Sequence, residues 1–176
     1  MKAEKKFYLL LAASAVGLAA GISMEKLPSP LLLEEVFLPD IRSYLRMVHP
    51  FMKISLLLMI GGCTIYALPC STAVMFCIGV LQGGILRQNS QLADPSFDIR
   101  LWGAALLVVT ILYLFVAQGL HSCRLRAESP GGRMKAGYLF RFLTLSGIIA
   151  LILLLQWLLS CWFSGSISYL VHNYPV

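Results

Sequence analysis

The sequence predicts an all-α fold, a polytopic transmembrane helix bundle of about five membrane segments that forms one domain over residues 1–176. Of the 176 residues, 59% are hydrophobic and 12% are charged, whereas soluble domains carry about 25% charged residues. The charges fall mostly between long apolar stretches, and a helix that crosses the hydrocarbon core needs about 20 consecutive, mostly apolar residues. This composition excludes a disordered tail, a disulfide-stapled small domain and an ordinary water-soluble enzyme.

The first predicted span covers residues 7–22 and follows a lysine-rich start within residues 1–6. A basic start and a short apolar stretch are also typical of a cleaved signal peptide. We favour a retained span because the rest of the chain is equally apolar, and in either case the lysines indicate a cytoplasmic N-terminus. Gly17 and Gly21 form a GxxxG motif on this span, and such motifs let helix backbones approach closely in lipid.

Residues 29–49 predict an amphipathic segment outside the cytoplasm. Ser29 and Pro30 suit the start of a short helix, as helix cap and first helical residue, and Pro39 suits its end. Apolar residues then recur at helical spacing and form a candidate partner surface of Leu33, Phe37, Ile41 and Tyr44. Such a face binds the membrane surface or a partner, or packs on the protein's own bundle, and the sequence leaves both open.

Residues 54–86 contain no charged residue and are too long for one span. As a single helix they would extend about 50 Å, against a hydrocarbon core of about 30 Å. Pro69 near the middle predicts a broken apolar hairpin with arms at 54–68 and 70–86. Each arm is shorter than a usual span, so a re-entrant pair that does not cross the membrane fully is the alternative.

The remainder predicts a span at 101–120, a basic cytoplasmic loop at 121–141 and a last span at 142–163. If the hairpin returns to the side where it started, the lysine-rich N-terminus and the basic loop share one side, as the positive-inside rule requires of a cytoplasmic face. A single crossing with the N-terminus outside would also satisfy that rule. The lysines beside the first span favour the hairpin.

Recognisable catalytic chemistry is absent from the sequence. It has no HExxH, GxSxG or phosphate-binding glycine loop, and its histidines, His49, His121 and His172, are far apart. The predicted spans contain no Asp or Glu, which are the usual groups of proton-coupled transport. The five cysteines lack paired spacing and suit packing better than disulfides. We therefore expect no enzymatic activity, no cofactor and no bound metal.

Polar and basic residues indicate membrane contacts rather than nucleic-acid binding. Gln82, Gln118 and Gln156 are the strongest polar groups inside the spans. They could line a pathway, but hydrogen bonds between helices are the commoner role of such groups. The net charge of +6 comes from residues near the ends of apolar segments, where they contact lipid headgroups. We therefore expect the lipid bilayer, and no nucleic acid, as a partner.

The hairpin region resembles the stage II sporulation protein M family. Residues 62–69 read Gly-Cys-Thr-Ile-Tyr-Ala-Leu-Pro and are similar to the family pattern G-x-S/T-I-x-G-x-P. A second family pattern, K-G-x-x-x-G, follows at the spacing that this chain shows. The matching residues are Gly62, Thr64, Pro69, Gly79 and Gly83. Ala67 replaces a family glycine and Ile78 replaces the family lysine, while the order of spans and loops is similar across nearly the whole chain.

This resemblance implies a non-enzymatic integral membrane scaffold. Family members act at the division septum of endospore-forming bacteria, where they recruit enzymes that degrade peptidoglycan during engulfment. It therefore implies membrane-anchored protein partners in the cell membrane, and small-residue helix faces are compatible with a homo-oligomer. Relatives also occur where no spores form. The alternative is a small transporter or channel subunit in which Thr64, Pro69 and Gln82 face a cavity, and an intramembrane enzyme is the third reading.

Overall fold

Five helices make up the part of the chain that the structure describes. The computed structural model describes residues 3–24, 41–64, 66–92, 99–128 and 136–173. The helices are α1 (Ala3–Ser23), α2 (Ile41–Gly62), α3 (Ala67–Leu92), α4 (Ile99–Glu128) and α5 (Ala136–Asn173). Each is long and apolar enough to cross a membrane, and no strand occurs in these ranges. The predicted all-α bundle is confirmed, and its five apolar helices indicate a multi-pass membrane protein.

Contacts between helices show that their directions alternate. Gly17 of α1 lies against Phe76 of α3, and Gly21 lies against Val80, so α1 and α3 run parallel. A short turn joins α2 to α3 and makes those two helices antiparallel. The start of α1 and the α2–α3 turn therefore lie at the same end of the bundle.

Helices α4 and α5 are antiparallel as well. His121 near the end of α4 stacks on Tyr138 near the start of α5, and Gly103 near the start of α4 lies against Leu159. The end of α4 lies beside the α2–α3 turn, because Ser122 contacts Gly62. We call this the basic end, since it holds the start of α1, the α2–α3 turn, the end of α4 and the start of α5.

The α2–α3 turn depends on a threonine cap. The Thr64 hydroxyl donates to the carbonyl of Gly61 over 2.8 Å and accepts from the backbone N–H of Tyr66 over 3.2 Å. Pro69 is the third residue of α3, where a backbone N–H would have no helical partner, so the proline fits there. The break therefore falls between Gly62 and Ala67, a few residues before the position predicted from Pro69.

Helix α2 is longer than the first predicted hairpin arm. It begins at Ile41 and runs through Pro50 to Gly62, so it includes residues 41–49 of the predicted amphipathic segment. Pro50 removes one backbone hydrogen bond without ending the helix. The apolar part from Tyr44 has 19 residues, enough to cross the bilayer. The short arm that suggested a re-entrant pair is therefore not what the structure contains.

The other helices extend beyond the predicted spans. Helix α4 continues through the first part of the predicted loop 121–141, to Glu128, and α5 begins at Ala136 and runs past residue 163. Charged residues mark where an apolar stretch meets water, but Lys, Arg and Glu are good helix formers. The polarity of the sequence therefore does not locate the ends of these helices.

The core lies where α2, α3, α4 and α5 meet. The rings of Phe51 and Phe115 lie 6.2 Å apart at their centres, and both side chains are fully buried. Other fully buried side chains surround this pair: Met47, Leu58, Met75, Ile78, Ile111 and Leu153. The exposed apolar side chains lie on the outer faces, as expected of a bundle whose surroundings are lipid.

Replacing Gly17 with alanine tests the α1–α3 contact. Alanine is the better helix former by about 0.5–1 kcal/mol, yet its Cβ would overlap the carbonyl oxygen of Phe76. We expect Gly17→Ala to lower the stability of the purified protein by about 1–3 kcal/mol, measured by thermal unfolding in detergent.

Gly147→Ala is the matched control for this change. Gly147 lies in α5, and no neighbouring atom lies within 4 Å of the point that an alanine Cβ would occupy, so the added methyl group meets nothing. We expect its stability to be unchanged or slightly raised. Equal effects of the two substitutions would show that α1 and α3 do not pack as described.

Candidate functional site

Two glycine motifs form one interface between α1 and α3. A Cβ at Gly17 would overlap the Phe76 carbonyl oxygen, and a Cβ at Gly79 would overlap that of Ser14. The backbones therefore touch without side chains between them, as small residues four apart allow in lipid. The interface glycines are Gly17, Gly21, Gly79 and Gly83. The sequence identified both motifs, but it did not predict that they pair with each other.

The remaining motif residues shape the hairpin end. A Cβ at Gly62 would lie 3.1 Å from the Cα of Ser122, so this glycine allows α2 to approach α4 closely. Thr64 caps the turn, and Pro69 is exposed in the first turn of α3. Among the matched residues, the glycines therefore serve close helix contacts, while the threonine and the proline serve the turn.

Gln82 and Gln156 form a reciprocal amide pair between α3 and α5. The side-chain N–H of Gln156 donates to Gln82 over 2.8 Å, and that of Gln82 donates to Gln156 over 3.4 Å. Both side chains are 0% exposed. Each amide satisfies the other in a region where an unpaired polar group is costly. The pair therefore holds two helices together and faces no open channel.

Gln118 joins three helices in a second buried group. Its Nε2 donates to the hydroxyl of Ser55 in α2 over 2.7 Å and to that of Ser146 in α5 over 2.9 Å. The two serine hydroxyls lie 3.0 Å apart. Gln118 Oε1 is buried without a hydrogen-bond partner, which costs about 1–3 kcal/mol. The expected role of the glutamines, hydrogen bonding between helices, fits both groups.

The basic end carries a stacked ring pair beside an open cleft. The ring centres of His121 and Tyr138 lie 4.4 Å apart with planes inclined by 17°, and the Tyr138 hydroxyl donates to Ser122 over 3.5 Å. A cleft of about 420 Å³ between α4 and α5 has basic and apolar walls that include Leu120, His121, Arg124 and Arg141. Its shape and charge suit the contact of a bundle end with lipid headgroups.

A second cleft lies at the opposite end of the bundle. It measures about 350 Å³ and its lining includes Ile22, Leu86, Arg87 and Trp102. Arg87 donates a hydrogen bond to the carbonyl of Met24, which ties the end of α1 to α3. Both clefts open on the outer surface of the bundle rather than between the buried glutamines.

The cysteines and histidines form no shared site in the described part of the chain. Cys63, Cys70, Cys77 and Cys123 are free thiols. The Cys123 thiol donates to the Ser71 hydroxyl over 3.7 Å. Within residues whose positions are described, no three His, Cys, Asp or Glu side chains are grouped as a metal site requires.

The candidate partner surface is divided by the structure. Leu33 and Phe37 lie outside the described residues, and Ile41 is the first residue of α2. Tyr44 donates its hydroxyl to the carbonyl of Ala150 over 3.0 Å, and its ring centre lies 5.8 Å from that of Trp157. Tyr44 therefore packs on the protein's own bundle, which is the alternative that the sequence had left open.

Lys53 is the residue that sequence reasoning missed. The predicted hairpin arm begins just after it, at residue 54, but Lys53 lies within the apolar part of α2, Tyr44–Gly62, and it is exposed. A detectable signal was present. Basic side chains recur at spacings of four, three and four residues, at Arg42, Arg46, His49 and Lys53, which is one face of a continuous helix.

Fold and buried polar groups define a helical membrane protein whose interior is hydrogen-bonded. Compared with protein-family models, with curated proteins and with solved structures, the chain matches none of them.

A double-mutant cycle on Gln82 and Gln156 tests the buried amide pair. Gln82→Leu alone leaves the Gln156 amide unpaired, so we expect it to lower stability by about 1–3 kcal/mol. The double variant with Gln156→Leu removes both polar groups and should recover part of that loss. Thermal unfolding in detergent of the wild type, both single variants and the double variant gives the coupling energy. Additive losses would contradict the pairing.

Proposed function

We propose that the protein is a non-enzymatic membrane scaffold that holds other membrane-anchored proteins in place. The observation that carries this proposal is that the buried glutamines form hydrogen bonds between helices. Gln82, Gln118 and Gln156 are all 0% exposed and bond to one another or to serines of neighbouring helices. Polar groups used in this way stabilise a fixed arrangement of helices. A rigid bundle with exposed outer faces suits protein recruitment.

The resemblance to the stage II sporulation protein M family supports the finer proposal. The glycines that carry it, Gly62, Gly79 and Gly83, lie at close helix–helix contacts. A motif with that role is expected in a protein whose task is to keep a defined shape. We extend the proposal to recruitment of peptidoglycan-remodelling partners at the septum during endospore engulfment, with the protein in the cell membrane and homo-oligomers compatible with its outer faces.

The transporter or channel alternative has less support. It requires Thr64, Pro69 and Gln82 to face one cavity. Thr64 and Pro69 lie at the basic end, whereas Gln82 is thirteen positions further along α3 than Pro69, about 20 Å at 1.5 Å per residue. Gln82 is also fully buried against Gln156. These three side chains therefore share no cavity wall.

We propose that the basic end of the bundle faces the cytoplasm. Lys5, Arg124 and Arg141 lie at this end and are exposed, and an excess of basic residues near span ends is typical of the cytoplasmic side. The N-terminus is then cytoplasmic, the connection between α1 and α2 is external, and the α2–α3 turn returns to the cytoplasm.

The scaffold and channel hypotheses predict different water access along α3, which cysteine labelling measures. With the native cysteines replaced, single cysteines at Met75, Ile78 and Gln82 should be protected from a membrane-impermeant maleimide, because these side chains are fully buried. A cysteine at Lys5 is the reactive control, and the side from which it is labelled reports the orientation. Fast labelling at every third or fourth position of α3 would instead establish an aqueous pathway.

In a host that forms spores, deleting the gene tests the proposed role in engulfment. We expect the deletion strain to stall at septal thinning before engulfment, observed by fluorescence microscopy of membrane-stained cells. Complementation with the wild-type gene or with Gly147→Ala should restore engulfment, whereas Gly17→Ala should restore it less well. Normal engulfment in the deletion strain would refute the sporulation role and leave the membrane architecture unchanged.

A further inference from the structure

Lys53 lies near the middle depth of the bundle. Two residues before it, Phe51 packs on Phe115 of α4, and two residues after it, Ser55 bonds to Ser146 of α5 over 3.0 Å. The apolar part of α5 runs from Gly137 to Leu159, so Ser146 is close to its centre. Lys53 is therefore roughly level with the centre of a membrane-spanning helix.

The exposed residues that follow Lys53 on its face of α2 are apolar, while His49, one turn before it on the same face, is also exposed. Leu56, Leu57 and Ile60 are 51%, 53% and 53% exposed, and they follow Lys53 at the spacing of one helix face. We call the surface formed by Lys53, Leu56, Leu57 and Ile60 the Lys53 face. Among the described residues Lys53 has no hydrogen-bond or ion-pair partner, and the opposite side of α2 holds the buried Phe51 and Ser55.

A lysine at this depth on a lipid-facing surface is energetically unfavourable. Every transfer scale assigns a free-energy cost to a charged side chain at the centre of a membrane helix. Half of the hydrocarbon core is about 15 Å, so a lysine stem at the centre reaches the headgroups less easily than one near a helix end. Charged groups inside membranes are usually paired with an opposite charge or face water.

The described helices of the chain hold no carboxylate at this depth. The chain's acidic residues lie outside the five apolar spans or at the first residue of one: Glu4, Glu25, Glu34, Glu35, Asp40, Asp94, Asp98 and Glu128. A carboxylate on a membrane-spanning helix of a different protein would pair with Lys53 at this depth.

We propose that the Lys53 face of α2 binds a membrane-spanning helix of another protein that carries an Asp or Glu near its middle. Leu56, Leu57 and Ile60 supply the apolar contact, and Lys53 selects the partner by its charge. The inference rests on the scaffold function only in assuming that the protein holds membrane-anchored partners. It names the helix face and the partner's chemistry, and it does not depend on sporulation.

A synthetic partner helix tests this proposal directly. The probe is a poly-leucine membrane-spanning peptide with one central glutamate, reconstituted with the purified protein in phosphatidylcholine vesicles. With the native cysteines replaced, association is read by energy transfer between a dye on the peptide and a dye on a cysteine at Leu151, an exposed residue of α5 outside the Lys53 face. Two control peptides carry a central glutamine or a glutamate near one end. We expect association only with the central glutamate.

Substitution of Lys53 assigns the effect to its charge. Lys53→Met should weaken association at least about tenfold, and Lys53→Arg should retain it. Lys5→Met is the matched control, since it removes the same charge outside the membrane centre. Without the peptide, Lys53→Met should be at least as stable as the wild type, because it removes an unpaired charge from an apolar surface, and this measurement confirms that the variant folds.

Several outcomes would overturn the proposal. They are equal binding of the glutamate peptide to Lys53→Met, equal binding of the glutamine peptide to the wild type, or crosslinks from the Lys53 face to a second copy or to residues 25–40. Failure in vesicles leaves the scaffold proposal intact, since that proposal is tested in cells by deletion. Normal engulfment after deletion would likewise leave the chemistry of the Lys53 face unaffected.

Discussion

Direct contact between the backbones of α1 and α3 is the constraint on which the rest of the bundle depends. Where Gly17 and Gly79 meet the neighbouring carbonyl groups, no side chain separates the helices, so their relative height and spacing are fixed. Contacts of this kind permit weak Cα–H···O interactions. Helix α3 then presents Gln82 to α5 and Met75 to the core. A change in this contact would displace both.

The buried glutamines bond across helices. Gln82 pairs with Gln156, and Gln118 donates to Ser55 and Ser146, because lipid offers such groups no partner. Lys53 differs from the glutamines, since it is exposed beside the apolar residues Leu56, Leu57 and Ile60. A bonded interior suits a protein of fixed shape, and the face that holds Lys53 is where we propose that another protein binds.

Much of the architecture could be predicted from the sequence, because lipid imposes strong requirements on composition. The number of apolar segments, the hairpin within 54–86 and the role of the glutamines as helix-bonding groups all agree with the structure. The boundaries were less predictable. The first arm was placed at residue 54 because Lys53 is charged, whereas α2 continues from Ile41 through both Pro50 and that charge.

The sequence by itself determined that the chain is a five-segment helical membrane protein, since apolar length and the position of charges follow directly from composition. It also identified the glycines that pack and the glutamines that bond. Only the tertiary structure decided which of them meet: the two GxxxG motifs on α1 and α3, Gln82 with Gln156, and Tyr44 with the bundle rather than with a partner. The depth of Lys53 also needed the structure, because depth depends on which residues of neighbouring helices lie at the same level, and one sequence does not contain that information.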